Sequence, residues 1–279
     1  MKSEITQLFE QVDNIPQVPE VVRTLLTQVN DPNIDFIAIA KNVEKEQAIA
    51  IKVLRLANSA FYGLPREIGS IKQALVILGM TELKKLIVVS GLISSIPEIS
   101  DLNIEDFWLD NFRTATYAKW ISDQANFPDS DSDMVFTAGL INALGIILIH
   151  LGTPKAAKEI NYLVEDGMTR LKAEQQELGF SNHEVSAELC RLWEFSDDLT
   201  TAVEQSGEPL NFEQTALSAY AVFIARYISE ASYSDKTRDE IEADFPIKEW
   251  LELGLKEQDI SDSLTEIISL ETGLDGLLD

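Results

Sequence analysis

The sequence predicts an all-α protein of many helices arranged in two lobes. Three observations carry that expectation. No stretch of convincing length alternates apolar and polar residues at the strand period of two. Apolar residues instead recur at three- and four-residue spacing along almost the whole chain. The two runs that composition alone would allow as buried strands, LIVVSGLI and GIILI, sit inside longer helical patterns. Helices of this kind are held by packing one apolar face against a neighbour, so the spacing also names the candidate core.

Taken in order, residues 3–12 read as a helix with Ile5, Leu8, Phe9 and Val12 on one face. Pro16 breaks it, and Pro19 can open the next, because proline fits the first helical turn. That second helix places Val21, Leu25 and Val29 at helical spacing. Asp31-Pro32-Asn33 reads as a turn. Asp35 reads as an N-cap, its carboxylate accepting from the exposed amides of the next helix. Residues 36–43 follow with Ile37, Ile39, Ala40 and Val43, and residues 48–57 with Ile49, Val53, Leu54 and Ala57. Asn58-Ser59-Ala60-Phe61-Tyr62-Gly63 ends this set, and two readings stay open. One is C-capping by residues that tolerate a left-handed backbone. The other is a recognition loop presenting Asn58, Ser59, Phe61 and Tyr62. Ser70 can cap a helix over 71–78, Gly79 stops it, and a further apolar helix ends at Pro97. The polar segment 97–102 is the expected lobe boundary, giving an N-terminal lobe over 1–100.

A second lobe is expected over 101–235. It opens with Phe107-Trp108, and Phe112, Ala115, Ala118 and Ile121 hold helical spacing. Residues 127–133 read as an acidic loop. Its D-x-D-x-D pattern resembles the start of an EF-hand, but the sixth position is Met134 and the twelfth Leu140, where glycine and glutamate are needed. The carboxylates suit the positive end of the helix that follows. From Met134 to Pro154 no residue is charged. Its length would allow a membrane span, but Asn142, His150 and interrupting glycines favour a buried central helix. Helices then follow over 154–164, over 169–178 and from Ser181-Asn182, the last with Val185, Leu189 and Leu192 inward. A long apolar helix covers 213–230. From 236 to 279 there are 13 Asp/Glu against four Lys/Arg, which with apolar pairs reads as a packed acidic appendage with a loose end.

Composition bounds the function. The chain has 279 residues and a net charge of −25. Such a surface repels phosphate backbones and anionic bilayers, so neither nucleic acid nor membrane is an expected partner. Cys190 is the one cysteine, which fits a reducing, cytoplasmic setting. The N-terminus lacks a signal-peptide apolar core. There is no P-loop, G-x-G-x-x-G or G-x-S-x-G. Cys190 reads as a small core residue.

The run AIKVLRLANSAFYGLPREIGSIKQALVILGMTELKKLIV resembles the N-terminal half of an HDOD domain, the HD-related output domain of bacterial signalling proteins. Asn58-Ser59, Ile71, Gln73-Ala74, Leu78-Gly79 and the earlier Pro16-x-x-Pro19 carry the resemblance. Trp108, Ala138-Gly139-Leu140, Gly145, Gly179 and Trp193 extend it to about residue 210. The resemblance implies an all-helical fold. Relatives with true HD chemistry are metal-dependent phosphohydrolases, in which a His-Asp pair and further histidines hold metals that activate water. By resemblance the pair falls at Asn142-Ala143, an upstream histidine at Asp110, another at Asn182, and a His-His pair near Gln205-Ser206. None of these residues is histidine, and Ala143 has no ligand atom at all. Of the two histidines present, His150 reads as a hydrogen-bonded core residue and His183 as exposed near a helix start.

The expectation is therefore a non-catalytic regulatory module without metal or cofactor, acting on a protein partner through the surface around Asn58, Ser59, Phe61 and Tyr62. Two alternatives stay open. One is a divergent phosphohydrolase using Asp110, His150 or His183. The other is a sensor that binds a small nucleotide-like effector between Asp110 and Asn142.

Overall fold

A computed structural model of the chain describes residues 3–27, 36–59, 62–99, 101–234 and 236–270. The expected turn at 31–33, the Asp35 cap, Val29, Phe61 and the chain end beyond Leu270 lie outside the described residues. All regular structure among the described residues is helical. Helix α1 (Ser3–Gln11) belongs to the larger of two compact units, Met1–Ile15, Ile99–Leu192 and Ser196–Leu270; the smaller takes Pro16–Glu98 with Trp193–Phe195. Sequence order assigned α1 to the first lobe. Packing decides otherwise, since Ile5 and Leu8 are buried by contacts with the larger unit's own helices.

The smaller unit contains α2 (Glu20–Thr27), α3 (Phe36–Lys45), α4 (Gln47–Ala57) and α5 (Ile71–Ser95). Ser70 caps α5 as expected, its hydroxyl accepting from Gln73 N at 3.2 Å. Gly79 divides α5 with a backbone at φ 80°, ψ 177°, where a side chain is strained. The half beyond it is buried on nearly all sides. Gly91 is needed there because a Cβ would lie 2.1 Å from Val22 Cγ2. Two core assignments change. Ile37 is exposed, and Leu56 rather than Leu54 is the buried leucine of α4, in phase with Ile49 and Val53. Trp193 returns to this unit and donates from its indole to Pro16 O at 3.0 Å, a buried bond across 177 residues.

The larger unit is built on α6 (Ile104–Gln124), whose Phe112, Ala115, Ala118 and Ile121 are fully buried. Helix α7 (Asp129–Ile141) crosses it closely, because a Cβ at Gly139 would sit 2.7 Å from Ala115 Cα. The acidic segment is thus not a loop: from Asp129 it forms the first turns of α7, and Asp133 pairs with Lys119 at 3.1 Å. The apolar stretch is two helices, α7 and α8 (Gly145–Gly152). Between them the amides of Leu144, Ile146 and Ile147 bond three residues back, which tightens the turn. Residues Asp131–Gly152 are long and apolar enough to cross a membrane, and 67% of that window is buried inside the protein.

Helices α9 (Pro154–Glu165), α10 (Arg170–Leu178), α11 (Asn182–Leu192) and α12 (Asp197–Gln205) follow. Gly179 ends α10 in the left-handed region, and Ser181 and Glu184 cap α11 reciprocally. Leu192, expected inward, is exposed at the end of α11. Helix α13 (Leu217–Ser232) starts four residues later than its pattern predicts. Gln205 explains the delay: it takes Gln214 O and Ala216 N, holding that segment out of helix. Helices α14 (Arg238–Ala243), α15 (Ile247–Glu252) and α16 (Ile260–Ile268) pack on α13. Tyr227, Phe245 and Trp250 meet there edge to face, with centroids 6.0 and 5.5 Å apart. The acidic tail shares the larger unit's core.

Candidate functional site

The side chains with unusual chemistry converge where α6, the α7–α8 turn, α10, α11 and α13 meet. They line a cavity of about 280 Å³. Its floor is a chain of amides. Asn111 donates to Phe107 O at 2.7 Å and accepts from Asn142 Nδ2 at 3.3 Å; the same nitrogen donates to Gly139 O at 2.6 Å. A carbonyl partner can only face a donor, so these bonds fix which way the Asn142 amide points. Its Oδ1 is buried and has no hydrogen-bond partner among the described residues.

Asn182 repeats this pattern from another helix. Its backbone N and Nδ2 both donate to the Glu174 carboxylate, at 2.7 Å and at 2.9 and 3.1 Å. Its Oδ1 is likewise buried and unpartnered. Helix α11 is held against α8 by Gly145 N donating to Ser186 Oγ at 2.7 Å. That contact demands glycine, since a Cβ would lie 2.0 Å from Asn182 O.

Glu174 is fully buried, and burial pushes its carboxyl up, against the Asn182 hydrogen bonds and the charges of Arg170 and Arg226. Arg170 lies 3.9 Å from Glu174 and donates to Asn161 Oδ1 at 2.9 Å. Arg226 sits against His183 Nε2, and reaches the carbonyls of Ser206 and Gly207 only at 3.5 and 3.4 Å. A guanidinium always donates, so His183 Nε2 must accept and its proton lies on Nδ1. Burial, then Arg226, holds His183 well below its ordinary pKa, so it is neutral. It is 2% exposed, which corrects the expectation of an exposed residue. His150 is in the core as expected, but its Nε2 has no hydrogen-bond partner among the described residues; burial and then Arg170 lower its pKa.

Asn142, Ala143, Asn182 and Asp110 all line the cavity; Gln205 does not. Asp110 is exposed and held by Arg113, whereas its neighbour Asn111 makes the inward contacts. Helical phase could have identified Asn111, because it lies one turn after Phe107 and one turn before Thr114 and Ala115 on the buried face. Arg226 too carried a signal, as the one charge in the apolar run LSAYAVFIARYIS. Glu174 and Arg170 carried none.

The other expected surface, in the smaller unit, is partly a staple. Asn58 Nδ2 donates to Leu54 O and Ile68 O, both at 2.8 Å, and Oδ1 accepts from Ile68 N at 2.6 Å. This side chain ends α4 and closes the loop back onto it. The backbone at Asn58 is not left-handed, with φ −94°; Gly63 takes the positive φ instead. Tyr62 donates to Glu82 Oε2 at 3.2 Å, and Ser59 Oγ is buried without a hydrogen-bond partner among the described residues.

The family model of the HDOD domain matches residues 15–209. A candidate phosphohydrolase from Shewanella amazonensis SB2B superposes with a TM-score of 0.76 at 26% identity, covering 96% of this chain and 97% of that one. An HDOD domain protein of unknown function from Geobacter sulfurreducens gives 0.76 at 21% identity, covering 98% of each chain. A candidate signal transduction protein from Marinobacter aquaeolei VT8 gives 0.75 at 17%, covering 95% of this chain and 63% of that one. A protein of Treponema pallidum (strain Nichols) is 24% identical over 152 residues, 53% of this chain and 28% of its own length.

Proposed function

The chain belongs to the HDOD domain family, and from that membership we propose that it is a non-catalytic signalling module working through protein contacts. The observation that carries the reading is the amide floor of the cavity. By the family resemblance Asn142 falls at one of the positions where HD relatives hold metal, and its side-chain nitrogen donates to Gly139 and Asn111. Ala143 beside it offers no ligand atom. The remaining donors are poorly suited to a transition metal: Asp110 is engaged by Arg113, and a guanidinium occupies His183 Nε2. Among the described residues, no three His, Cys, Asp or Glu side chains gather as a metal site would require.

Metal analysis and turnover assays test the catalytic half of this reading. Purified protein is analysed for Fe, Mn, Zn and Mg, then assayed on cyclic dinucleotides and phosphomonoesters. No turnover is expected; stoichiometric metal with turnover abolished by Asp110→Ala refutes the reading. The contact half is tested by affinity capture from the native cell with wild type, Phe61→Ala and Tyr62→Ala, each checked for an unchanged melting temperature. Loss of the captured partner is expected, and an unchanged set removes this surface.

A further inference from the structure

The cavity floored by Asn142 has a neighbour. A second cavity of about 440 Å³ lies between α10, the 207–211 segment and α13. Arg170, Leu171, Arg226 and Glu230 line both. The chain carries 47 acidic against 22 basic residues, yet two guanidiniums border this junction, with Lys172 beside them in the second cavity. A phosphate needs compensating cationic donors, and the fold brings them together here.

We propose that the two cavities form one site for a small organic phosphate monoester. It rests on the non-catalytic reading only in that the ligand is held and released unchanged. A phosphate monoester carries about two negative charges near neutral pH, which two guanidiniums match better than one would. Arg226 has donors to offer, since two of its contacts are long and its Nε faces Glu230 at 3.9 Å without a hydrogen bond. Glu230 is 72% exposed, a counter-ion that an incoming phosphate displaces into solvent. Arg170 faces the buried Glu174 at 3.9 Å, and Asp110 on α6 is held by Arg113. Asp106 lines only the first cavity, and Glu208 and Glu249 only the second. Inside, the ligand meets apolar Phe107, Ile146 and Leu171 together with Asn142 and Asn182. Both amides are almost wholly buried, so they shape the wall of the cavity, and the body of the ligand is held mainly by apolar contact. The overall negative charge does not forbid this, because screening confines it to about 8 Å at physiological salt.

Isothermal titration with adenosine 5′-monophosphate, glucose 6-phosphate and inorganic phosphate tests the proposal and separates the two sources of an organic phosphate. One organic phosphate is expected to bind at least tenfold more tightly than inorganic phosphate. Arg170→Gln should weaken it about tenfold or more, and Glu230→Gln, on an exposed side chain, should tighten it several-fold. No heat with any probe to millimolar concentration overturns the proposal. So does binding that neither substitution alters, and inorganic phosphate binding equally well removes the role given to the apolar wall of the cavity. A probe recovered hydrolysed leaves the site standing and refutes the non-catalytic reading instead.

Discussion

Replacing Gly145 by alanine adds one methyl group where two helices meet backbone to backbone. An added Cβ would lie 2.0 Å from Asn182 O, 2.8 Å from Asn182 C and 2.9 Å from Val185 Cβ. No rotamer change relieves a clash with main chain. To reach the 3.4 Å of ordinary contact, α8 and α11 must separate by more than 1 Å. The bond from Gly145 N to Ser186 Oγ, now 2.7 Å, stretches with them. Overpacking of this kind costs about 1–3 kcal/mol and sometimes more, and a lost buried hydrogen bond about 1 kcal/mol. The gain in helix propensity returns about 1 kcal/mol. A net loss of about 1–3 kcal/mol lowers the melting temperature by roughly 2–6 °C in a chain of this size. Far-UV circular dichroism melts of wild type and Gly145→Ala measure it. A variant melting within about 1 °C of wild type refutes the claim that close approach, rather than chance, places glycine here.

Asn58→Ala removes three hydrogen bonds that tie the end of α4 to Ile68. It should cost about 2 kcal/mol in urea unfolding, and a change under about 0.5 kcal/mol rejects the staple. Gly79→Ala meets open space but must keep φ at +80°. It is expected to cost about 1–3 kcal/mol in urea unfolding, because φ 80°, ψ 177° lies in a region that glycine almost alone adopts; a change under about 0.5 kcal/mol contradicts the strain. Stability should fall as pH drops below 6.5, the ordinary pKa of histidine. His183 is held below that value in the fold, so the unfolded chain binds the extra proton first and the stability is intact only above it. Glu174 has the opposite sign, its raised pKa costing stability as pH rises above 4.5. The measurement is therefore the slope of unfolding free energy between pH 7.5 and 5.5, compared with His183→Gln; equal slopes reject the assignment. Cys190 is buried and its thiol pushed up to about 12. It should react with an aromatic disulfide reagent only in denaturant, and prompt labelling of native protein contradicts its burial.

The helical class, most helix boundaries and most of the core were legible in the sequence. Local rules govern them: a proline opens α9, Ser70 caps α5, Gly79 breaks it, and three- and four-residue spacing marks the buried faces. The family resemblance likewise led to Asn142, Ala143 and Asn182 before any fold was known, and all three line one cavity. Where the reading slipped, a non-local contact had overridden a local preference. Gln205 delays α13 by capturing backbone groups from the segment before it. His183 is buried because Arg226, 43 residues away, meets its ring. Asn111 and not Asp110 faces inward, since helical phase relative to α7 decides which of two neighbours is buried. The chain's own order of residues thus determined what each segment would become, because propensity, capping and periodicity act within a few residues. Tertiary structure alone decided that two arginines, from α10 and α13, would stand beside those amides. Charge at a site is set by which helices converge on it, and a net charge of −25 gives no hint of that convergence.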